Sequence, residues 1–308
     1  MTTARQLGRR HPKNAPALRA GTFLRKGAVP TAPQAIDNFT EVSDWGLYGN
    51  DQFGDCGPTS VANQRKLITR YLGGTEESPT QDDVFDLYRR SGNPEFDPKT
   101  GAGDDGVDMQ TMLEAVHADG IGSTRCLGFA KVDVTDLAEV RASIATFGSL
   151  LLGVDLETAQ ETQTDRRLWD YRQSSEWGGH AVLAGRYTSA RTGDDVGVVT
   201  WAEVVGTTDE FWERQVEEAW LVIWPEHLGT VEFLTGVDVA ALAAEYEALT
   251  GRQFPAPLPV PGPGPTPPGT DVDEVFASVL RPWVAERHVG ENHRVATAAK
   301  AWLAGKGR

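Results

Sequence analysis

Apolar residues in the first half of the chain recur at the three- and four-residue spacing of amphipathic helices. The clearest run follows Cys56, where Val61, Leu67, Ile68 and Tyr71 recur at helical spacing. We predict helices over 57–72, 81–91, 108–119 and 134–147. Segments rich in turn-forming residues separate these ranges, so the first half is predicted to be largely helical.

In the second half the pattern changes to short, continuous apolar runs, which are typical of buried strands. These runs cover 149–156, 180–185, 196–201 and 219–224. A short helix is predicted over 208–213 and an amphipathic helix over 237–249. Helices followed by strands favour an α+β fold, with an antiparallel sheet in the C-terminal half, over a wound parallel sheet.

Composition divides the chain into four parts. They are a basic extended arm (1–40), a folded domain (41–252), a Pro/Gly linker (253–271) and a helical tail (272–308). The linker composition predicts a semi-rigid spacer. The tail shows two short helices that suit a hairpin, and it is too short to bury much core alone. We therefore expect it to dock on a partner.

Charge narrows the range of partners. The net charge of −15 argues against nucleic-acid binding. No apolar run is long enough to span a membrane, and the N-terminus lacks the apolar core of a signal peptide. We therefore expect cytoplasmic synthesis and no membrane partner. Residues 1–27 carry basic side chains and no acid. They are interpreted either as a solvated arm or as one that docks on an acidic surface, its own or a partner's.

The two cysteines lie in different settings. Cys56 follows the turn-rich segment 50–55 and opens a helix. Unpaired N–H groups and the helix dipole favour the nucleophilic thiolate at such a position. Cys126 has no helix after it and is interpreted as a structural thiol. CxxC pairs are absent, so we predict no metal site and no cofactor.

His180 differs from the other five histidines. It follows Trp177-Gly178-Gly179, where backbone can approach closely, and it opens an apolar strand. A cysteine nucleophile needs a base, which makes His180 the candidate partner of Cys56. Taken alone, each residue has a structural alternative, namely a buried cysteine or a satisfied core histidine.

Two motifs then carry a family resemblance. Asp55-Cys56-Gly57-Pro58 at a helix start and Gly179-His180-Ala181-Val182 at a strand start resemble, in that order, the papain-like cysteine peptidases, with features of the branches that carry an Asp-Cys-Gly motif. The resemblance covers about residues 40–225. More distantly, the whole chain is similar to papain-like proteins of actinobacteria and their phages. The resemblance to the papain-like peptidases implies a papain-like fold, with the cysteine on a helix of the N-terminal half and the histidine on the sheet.

The resemblance also implies residue roles. Cys56 matches the nucleophile and His180 the general base. The oxyanion donor in such enzymes is usually a glutamine six residues before the cysteine, and here that position is Asn50, one methylene shorter. Gln52 is the right residue type but two positions too close, and it is kept as a substrate-binding candidate. The backbone N–H of Cys56 is the expected second donor.

The residue that orients the histidine departs from the family pattern. The family's Asn or Asp precedes a tryptophan on the strand after the histidine, and here Thr200 precedes Trp201. A hydroxyl accepts a hydrogen bond but carries no charge. Glu203 is charged but displaced. Gly179, Trp177 and Trp201 are predicted to line the substrate cleft.

These features support functions of different classes. One is a thiol hydrolase that cleaves a peptide or isopeptide bond of a polypeptide substrate through an acyl-enzyme. The other is a non-catalytic or weakly active papain-like protein, for example a capsid or tail component of a phage particle, bound through its arm and its C-terminal helices. A transglutaminase-like acyltransferase uses the same trio but expects an Asp on the strand after the histidine.

Overall fold

A computed structural model describes residues 5–13, 15–25, 33–188 and 195–258. Over these ranges a single sheet runs through the molecule. Its strands are β1 (Leu18–Arg19), β2 (Ile36–Asp37), β3 (Gly128–Val132), β4 (Leu150–Glu157), β5 (Leu168–Trp169), β6 (Glu176–Tyr187), β7 (Val196–Thr200), β8 (Glu203–Thr207) and β9 (Val216–Ile223). The predicted linker from residue 259 onward and the tail 272–308 lie outside the described residues.

The strand order is β1-β3-β9-β4-β6-β7-β8-β5, with β2 beside β6. All pairs are antiparallel except β1 with β3 and β5 with β8. The predicted α+β class is therefore confirmed, with a mainly antiparallel sheet built from the second half of the chain.

The predicted helices are present within a few residues of their expected bounds. The described helices are α1 (Ala20–Phe23), α2 (Cys56–Gly73), α3 (Gln81–Arg90), α4 (Met109–Ala118), α5 (Leu137–Phe147), α6 (Thr158–Thr164), α7 (Asp209–Gln215), α8 (Val231–Gly236) and α9 (Val239–Thr250). Local signals explain their ends. Thr80 caps α3, Asp108 caps α4, and Gly74, at φ +71°, ends α2. Within the described ranges, no helix has the length and apolarity that crossing a membrane requires.

Two apolar cores lie on opposite faces of the sheet. Successive side chains of a strand point to opposite faces, and in β4 Leu151 joins one core while Leu150 and Leu152 join the other. The core around Leu151 also holds α2, α3 and α4. Helix α2 is buried along most of its length and packs against β6.

The structure adds strands that the apolar pattern did not reveal. The short strands β1 and β2 come from residues assigned to the arm 1–40, so part of that segment belongs to the sheet. Strand β3 alternates buried and half-buried positions and is too short for a strong periodic signal. The strand predicted over 196–201 ends at Thr200, because the next two residues form a turn.

Candidate active site

The start of α2 meets the start of the apolar part of β6. Cys56 is the first residue of α2, and its Sγ accepts a hydrogen bond from the backbone N–H of Ala181 at 3.4 Å. Ser60, one turn further along α2, donates its hydroxyl to the Ala181 carbonyl at 3.1 Å. Because Ala181 directly follows His180, these two bonds bring the cysteine and histidine segments together.

The imidazole of His180 is held from one side. Its Nε2 lies 2.7 Å from Thr200 Oγ1, on the neighbouring strand β7. Its Nδ1 is buried and has no hydrogen-bond partner among the described residues. Thr200, which the resemblance matches to the orienting position, thus contacts one ring nitrogen, and its role stays a prediction.

A tight turn places Trp201 over this pair. Trp201 and Ala202 link the paired residues Thr200 and Glu203, and both adopt positive φ, at +44° and +60°. A left-handed conformation costs a non-glycine residue about 1–2 kcal/mol, and strain of this kind is concentrated at functional sites. The indole of Trp201 lies flat on the His180 ring, with centroids 4.2 Å apart and an interplanar angle of 12°.

The other residues that the sequence predicted for the site lie at different distances from Cys56 and His180. Asn50 is buried, and its Nδ2 donates to the carbonyl of Phe53 at 3.0 Å. Trp177 stacks on Trp201, with centroids 5.6 Å apart. Gln52 is exposed in the turn before α2. The Glu203 carboxylate pairs with Arg167 at 2.7 Å, away from the imidazole.

The N-terminal arm crosses the site in an extended conformation. The backbone N–H groups of Gly8 and Arg9 both donate to the carbonyl of Gly179, at 3.2 and 3.0 Å. On the opposite side, the N–H of Val107 donates to the Gly8 carbonyl, and the N–H of Arg10 donates to the Val107 carbonyl, both at 2.7 Å. The segment 5–10 is therefore held by backbone hydrogen bonds to both walls of a cleft.

The arm also accepts hydrogen bonds from two side chains that were predicted to belong to the site. The carbonyl of Gln6 accepts from Asn50 Nδ2 at 3.3 Å and from Trp201 Nε1 at 3.2 Å. Gly8 fits closely, because a Cβ at that position would lie 1.9 Å from the carbonyl oxygen of Gly54. The same is true of Gly179, where a Cβ would lie 2.2 Å from the Arg9 carbonyl oxygen. Both positions need glycine for the arm to lie where it does.

Burial controls the protonation of Cys56 and His180 in the arm-bound state. Cys56 and His180 are each 1% exposed. Burial raises the pKa of the Cys56 thiol to about 12, against the lowering effect of the nearby N–H groups of Ala181 and Gly8. Burial, together with the charge of Arg9, lowers the pKa of His180 to about 3. The expectation of a thiolate at this helix start is wrong for the arm-bound state, because desolvation outweighs the helix N-terminus.

One group of side chains has the spacing of a metal site. His11, Asp155 and Glu217 offer ligand atoms within 4.8 Å of one another. The Arg9 Nη2, however, already lies 2.5 Å from both carboxylates. A guanidinium therefore takes the position that a metal ion would need.

We predict that the protein loses stability in weak acid, because two of its histidines are buried. Burial lowers the pKa of His180 to about 3 and that of His227 to about 4, from 6.5. Below pH 6.5 the unfolded chain therefore binds protons that the native state does not. The free energy of unfolding decreases as the pH is lowered. The slope should approach about 1.4 kcal/mol per pH unit for each histidine. Urea unfolding between pH 6.5 and 5, above most carboxylate titration, measures it.

The single variants His180→Asn and His227→Asn provide the control for this prediction. Each should lose about half of the slope, because each removes one of the two groups. A free energy of unfolding that stays constant over this pH range in the unmodified chain would contradict the assignment.

The cleft-filling residues were not identified from the sequence. They lie far from Cys56 along the chain and include Gln6, Gly8, Arg9 and Val107. The sequence did, however, raise the possibility that a basic arm docks on an acidic surface. The available signal was a glycine directly before two arginines in a segment without acids. Arg9 does dock on acids of its own chain, and Arg5 pairs with Asp165 at 2.6 Å.

The comparisons with known proteins agree with this architecture. Xylellain, a cysteine protease from Xylella fastidiosa, is similar in structure, with a TM-score of 0.55 and 12% identity over 72% of this chain and 98% of that chain. Procathepsin B S9 from Trypanosoma congolense has a TM-score of 0.48 and 12% identity over 71% of this chain and 87% of that chain. No family model matches the sequence, and no curated protein matches it. The likeness to xylellain shows that the chain has the fold of the papain-like cysteine proteases.

Proposed function

We propose that this protein is a thiol hydrolase that cleaves a peptide or isopeptide bond through an acyl-enzyme, and that its own residues 5–10 hold the site closed. The observation that carries the proposal is the arm itself. An extended polypeptide lies across the start of α2 and bonds through its backbone to Gly179 and Val107. Backbone pairing of this kind recognises polypeptides with little regard to sequence.

The proposed chemistry uses Cys56 and His180 in two steps. Cys56 Sγ attacks the carbonyl carbon of the scissile bond, the amine leaves with a proton from His180, and a thioester remains on the sulfur. Water then attacks the thioester, with His180 as the base, and releases the acid. The free Nδ1 and the Thr200 contact at Nε2 support this role, since one nitrogen can shuttle the proton while the other is held.

Asn50 supports the same mechanism as a donor to the oxyanion. Its Nδ2 already donates to a polypeptide carbonyl, that of Gln6. A donor fixed in a buried position stabilises the negative charge that develops on the carbonyl oxygen. We assign the second donor to the Cys56 backbone N–H.

We infer that the arm fills the cleft without being cleaved. The backbone N–H of Gly8 lies close enough to the Cys56 sulfur to lower its pKa. An amide hydrogen therefore faces the nucleophile at this point. Departure of the arm would readmit water, so the pKa of the thiol would fall and that of the imidazole would rise, toward the ion pair that catalysis needs.

The test is hydrolysis by a full chain whose arm cannot dock. We expect the Gly8→Val chain to cleave members of a fluorogenic peptide library, with a bell-shaped pH profile for kcat/KM. Adding Cys56→Ala should abolish cleavage, whereas adding Cys126→Ala, the matched control, should leave it intact. Mass spectrometry should find an acyl adduct on Cys56. Cleavage that survives Cys56→Ala would sink the proposal.

A second candidate is a non-catalytic binding or structural protein, such as a phage virion component held through its arm and C-terminal helices. The buried, neutral thiol and the uncharged Thr200 favour it. On this candidate, the Gly8→Val chain shows no cleavage and no acyl adduct. Cys56→Ala then also leaves its binding to particles or partners unchanged.

A further inference from the structure

Three carboxylates surround the side chain of Arg9, which is fully buried. Arg9 Nη1 lies 3.0 Å from Glu218 Oε1, and Nη2 lies 2.5 Å from both Asp155 Oδ1 and Glu217 Oε2. We call the space bounded by Asp155, Glu217 and Glu218 the acidic pocket. Its charge and its number of acceptors exceed what one anchoring ion pair requires.

The acidic pocket is built into the sheet. Asp155 lies on β4, and Glu217 and Glu218 lie on β9, beside it. Glu218 is fully buried and is held in place by the indole N–H of Trp220, which donates to Oε2 at 2.6 Å. Glu218 is therefore positioned before any ligand arrives, which favours selective binding. The side chains of Asp155 and Glu217, 43% and 35% exposed, lie at the rim.

A glycine forms the floor of the acidic pocket. A Cβ at Gly153 would lie 2.7 Å from Arg9 Cδ and 2.6 Å from Glu218 Cγ. Any other residue at this position of β4 would obstruct the aliphatic part of an arginine side chain. The pocket therefore has the depth and the charge for a guanidinium on a long stem.

The residue that fills the acidic pocket directly follows the residue that approaches the sulfur. Gly8 approaches Cys56, and the next residue, Arg9, donates its N–H to the Gly179 carbonyl and sends its side chain into the pocket. A polypeptide that binds through the same Gly179 carbonyl would present a side chain to the same space. That side chain would belong to a residue near the bond being cut, since Arg9 lies three positions after Gln6, whose carbonyl accepts from Asn50.

The chemistry of the acidic pocket favours arginine among natural side chains. Two guanidinium nitrogens meet three carboxylates, an arrangement that suits a planar fork better than the compact ammonium of lysine. An apolar or neutral occupant would leave the buried Glu218 without a cation, since Arg9 is its ion-pair partner among the described residues.

We propose that the acidic pocket is the specificity pocket of this enzyme, that it selects polypeptides with an arginine near the cleaved bond, and that Arg9 fills it as an internal mimic of that residue. The inference rests on the proposed hydrolase function, because a polypeptide bound in this way is a substrate only if the protein cleaves it. Its first test, however, is binding and needs no catalysis.

The binding test uses the full chain with Arg9→Ala and two probes of equal shape. Ethylguanidinium is the cationic probe and ethylurea is its neutral counterpart, both measured by calorimetry at pH 7. We expect ethylguanidinium to bind Arg9→Ala at least tenfold more tightly than ethylurea, and the unmodified chain, whose pocket is filled, to bind neither. Adding Glu218→Gln should remove the preference. Equal binding of the two probes, or no binding, would overturn the pocket.

Two further measurements keep the result decisive. If Arg9→Ala does not fold alone, it is refolded with each probe. Recovery with ethylguanidinium and not with ethylurea supports the pocket, and recovery with neither counts against it. The second measurement is labelling of Cys56 by peptidyl electrophiles that carry arginine or leucine, in a chain with both Arg9→Ala and Gly8→Val, so that the arm does not cover the sulfur. Faster labelling by the arginine probe supports the specificity.

The two proposals fail in different ways. If ethylguanidinium binds but no electrophile labels Cys56, the cation pocket stands and the hydrolase is overturned. If Cys56 is labelled at equal rates by both electrophiles and ethylguanidinium does not bind, the hydrolase stands. In that case Arg9 and its three acids only anchor the arm.

Discussion

Replacing Gly8 by valine is expected to raise the rate at which iodoacetamide alkylates Cys56 by about ten- to a hundredfold. The added Cβ would lie 1.9 Å from the backbone oxygen of Gly54, which belongs to a tight turn and cannot move aside as a side chain would. Overpacking of this kind costs about 1–3 kcal/mol, and each 1.4 kcal/mol shifts the docking equilibrium about tenfold. The open state exposes the thiol and readmits water.

The same variant should change how the alkylation rate depends on pH. In the arm-bound state burial raises the pKa of Cys56 to about 12. Release of the arm is expected to let water reach the sulfur and weaken the effect of burial, so the midpoint of the rate profile should move to lower pH. Stopped-time alkylation followed by peptide mass mapping gives both the rate and the site.

Two controls separate release of the arm from general unfolding. Gly73→Ala is the matched substitution, because a Cβ there meets nothing within 4 Å, and it should leave the rate unchanged. Cys126 is the internal control, since it is free, 2% exposed and also has a pKa raised to about 12 by burial. A parallel rise in Cys126 alkylation would mean that Gly8→Val loosens the whole domain, contrary to the proposal.

Replacing Thr200 by valine, in the chain that also carries Gly8→Val, is expected to lower kcat/KM for peptide cleavage by about ten- to a hundredfold. Valine keeps the shape and removes the hydroxyl that lies 2.7 Å from His180 Nε2. A hydrogen bond to a charged group contributes about 1.5–3 kcal/mol, and each 1.36 kcal/mol of barrier is about tenfold in rate. The imidazolium that forms during catalysis would lose its partner.

Thr200→Ser provides the matched control because it retains the hydroxyl. It should keep most of the activity, and both variants should give the same denaturant midpoint to within the cost of one buried hydrogen bond. The pH profile adds a readout that a purely structural role would not change, since the apparent pKa of the histidine should fall in Thr200→Val. Equal activity of the valine and serine variants would remove Thr200 from the mechanism.

Local sequence signals accounted for most of the helical half. The predicted helices over 57–72 and 81–91 are observed as Cys56–Gly73 and Gln81–Arg90. Their ends depend on nearby residues, such as the reciprocal cap of Thr80 and Asp83 and the left-handed Gly74. Short strands such as β1 and β2 were not predicted, because two residues carry no period and gain their structure from a partner strand.

The Thr200 contact could be anticipated, whereas the Trp201 turn could not. If the runs 180–185 and 196–201 pair as antiparallel strands, the Thr200 hydroxyl lies on the strand next to that of His180. The sequence Trp201-Ala202, however, lacks the Asn or Gly that normally marks a two-residue turn. Surrounding contacts hold both residues in the left-handed region, so tertiary packing overrides the local preference.

By itself, the sequence determined the order and type of the main elements and the residues that can carry thiol chemistry, because these depend on periodicity and side-chain identity. Only the tertiary structure decided what lies in the cleft and which form the thiol takes. Arg9 meets Asp155, Glu217 and Glu218 across long stretches of chain. The raised pKa of Cys56 reflects its burial among residues from separate parts of the chain. Both are properties of packing in space, on which neighbouring letters of the sequence carry no information.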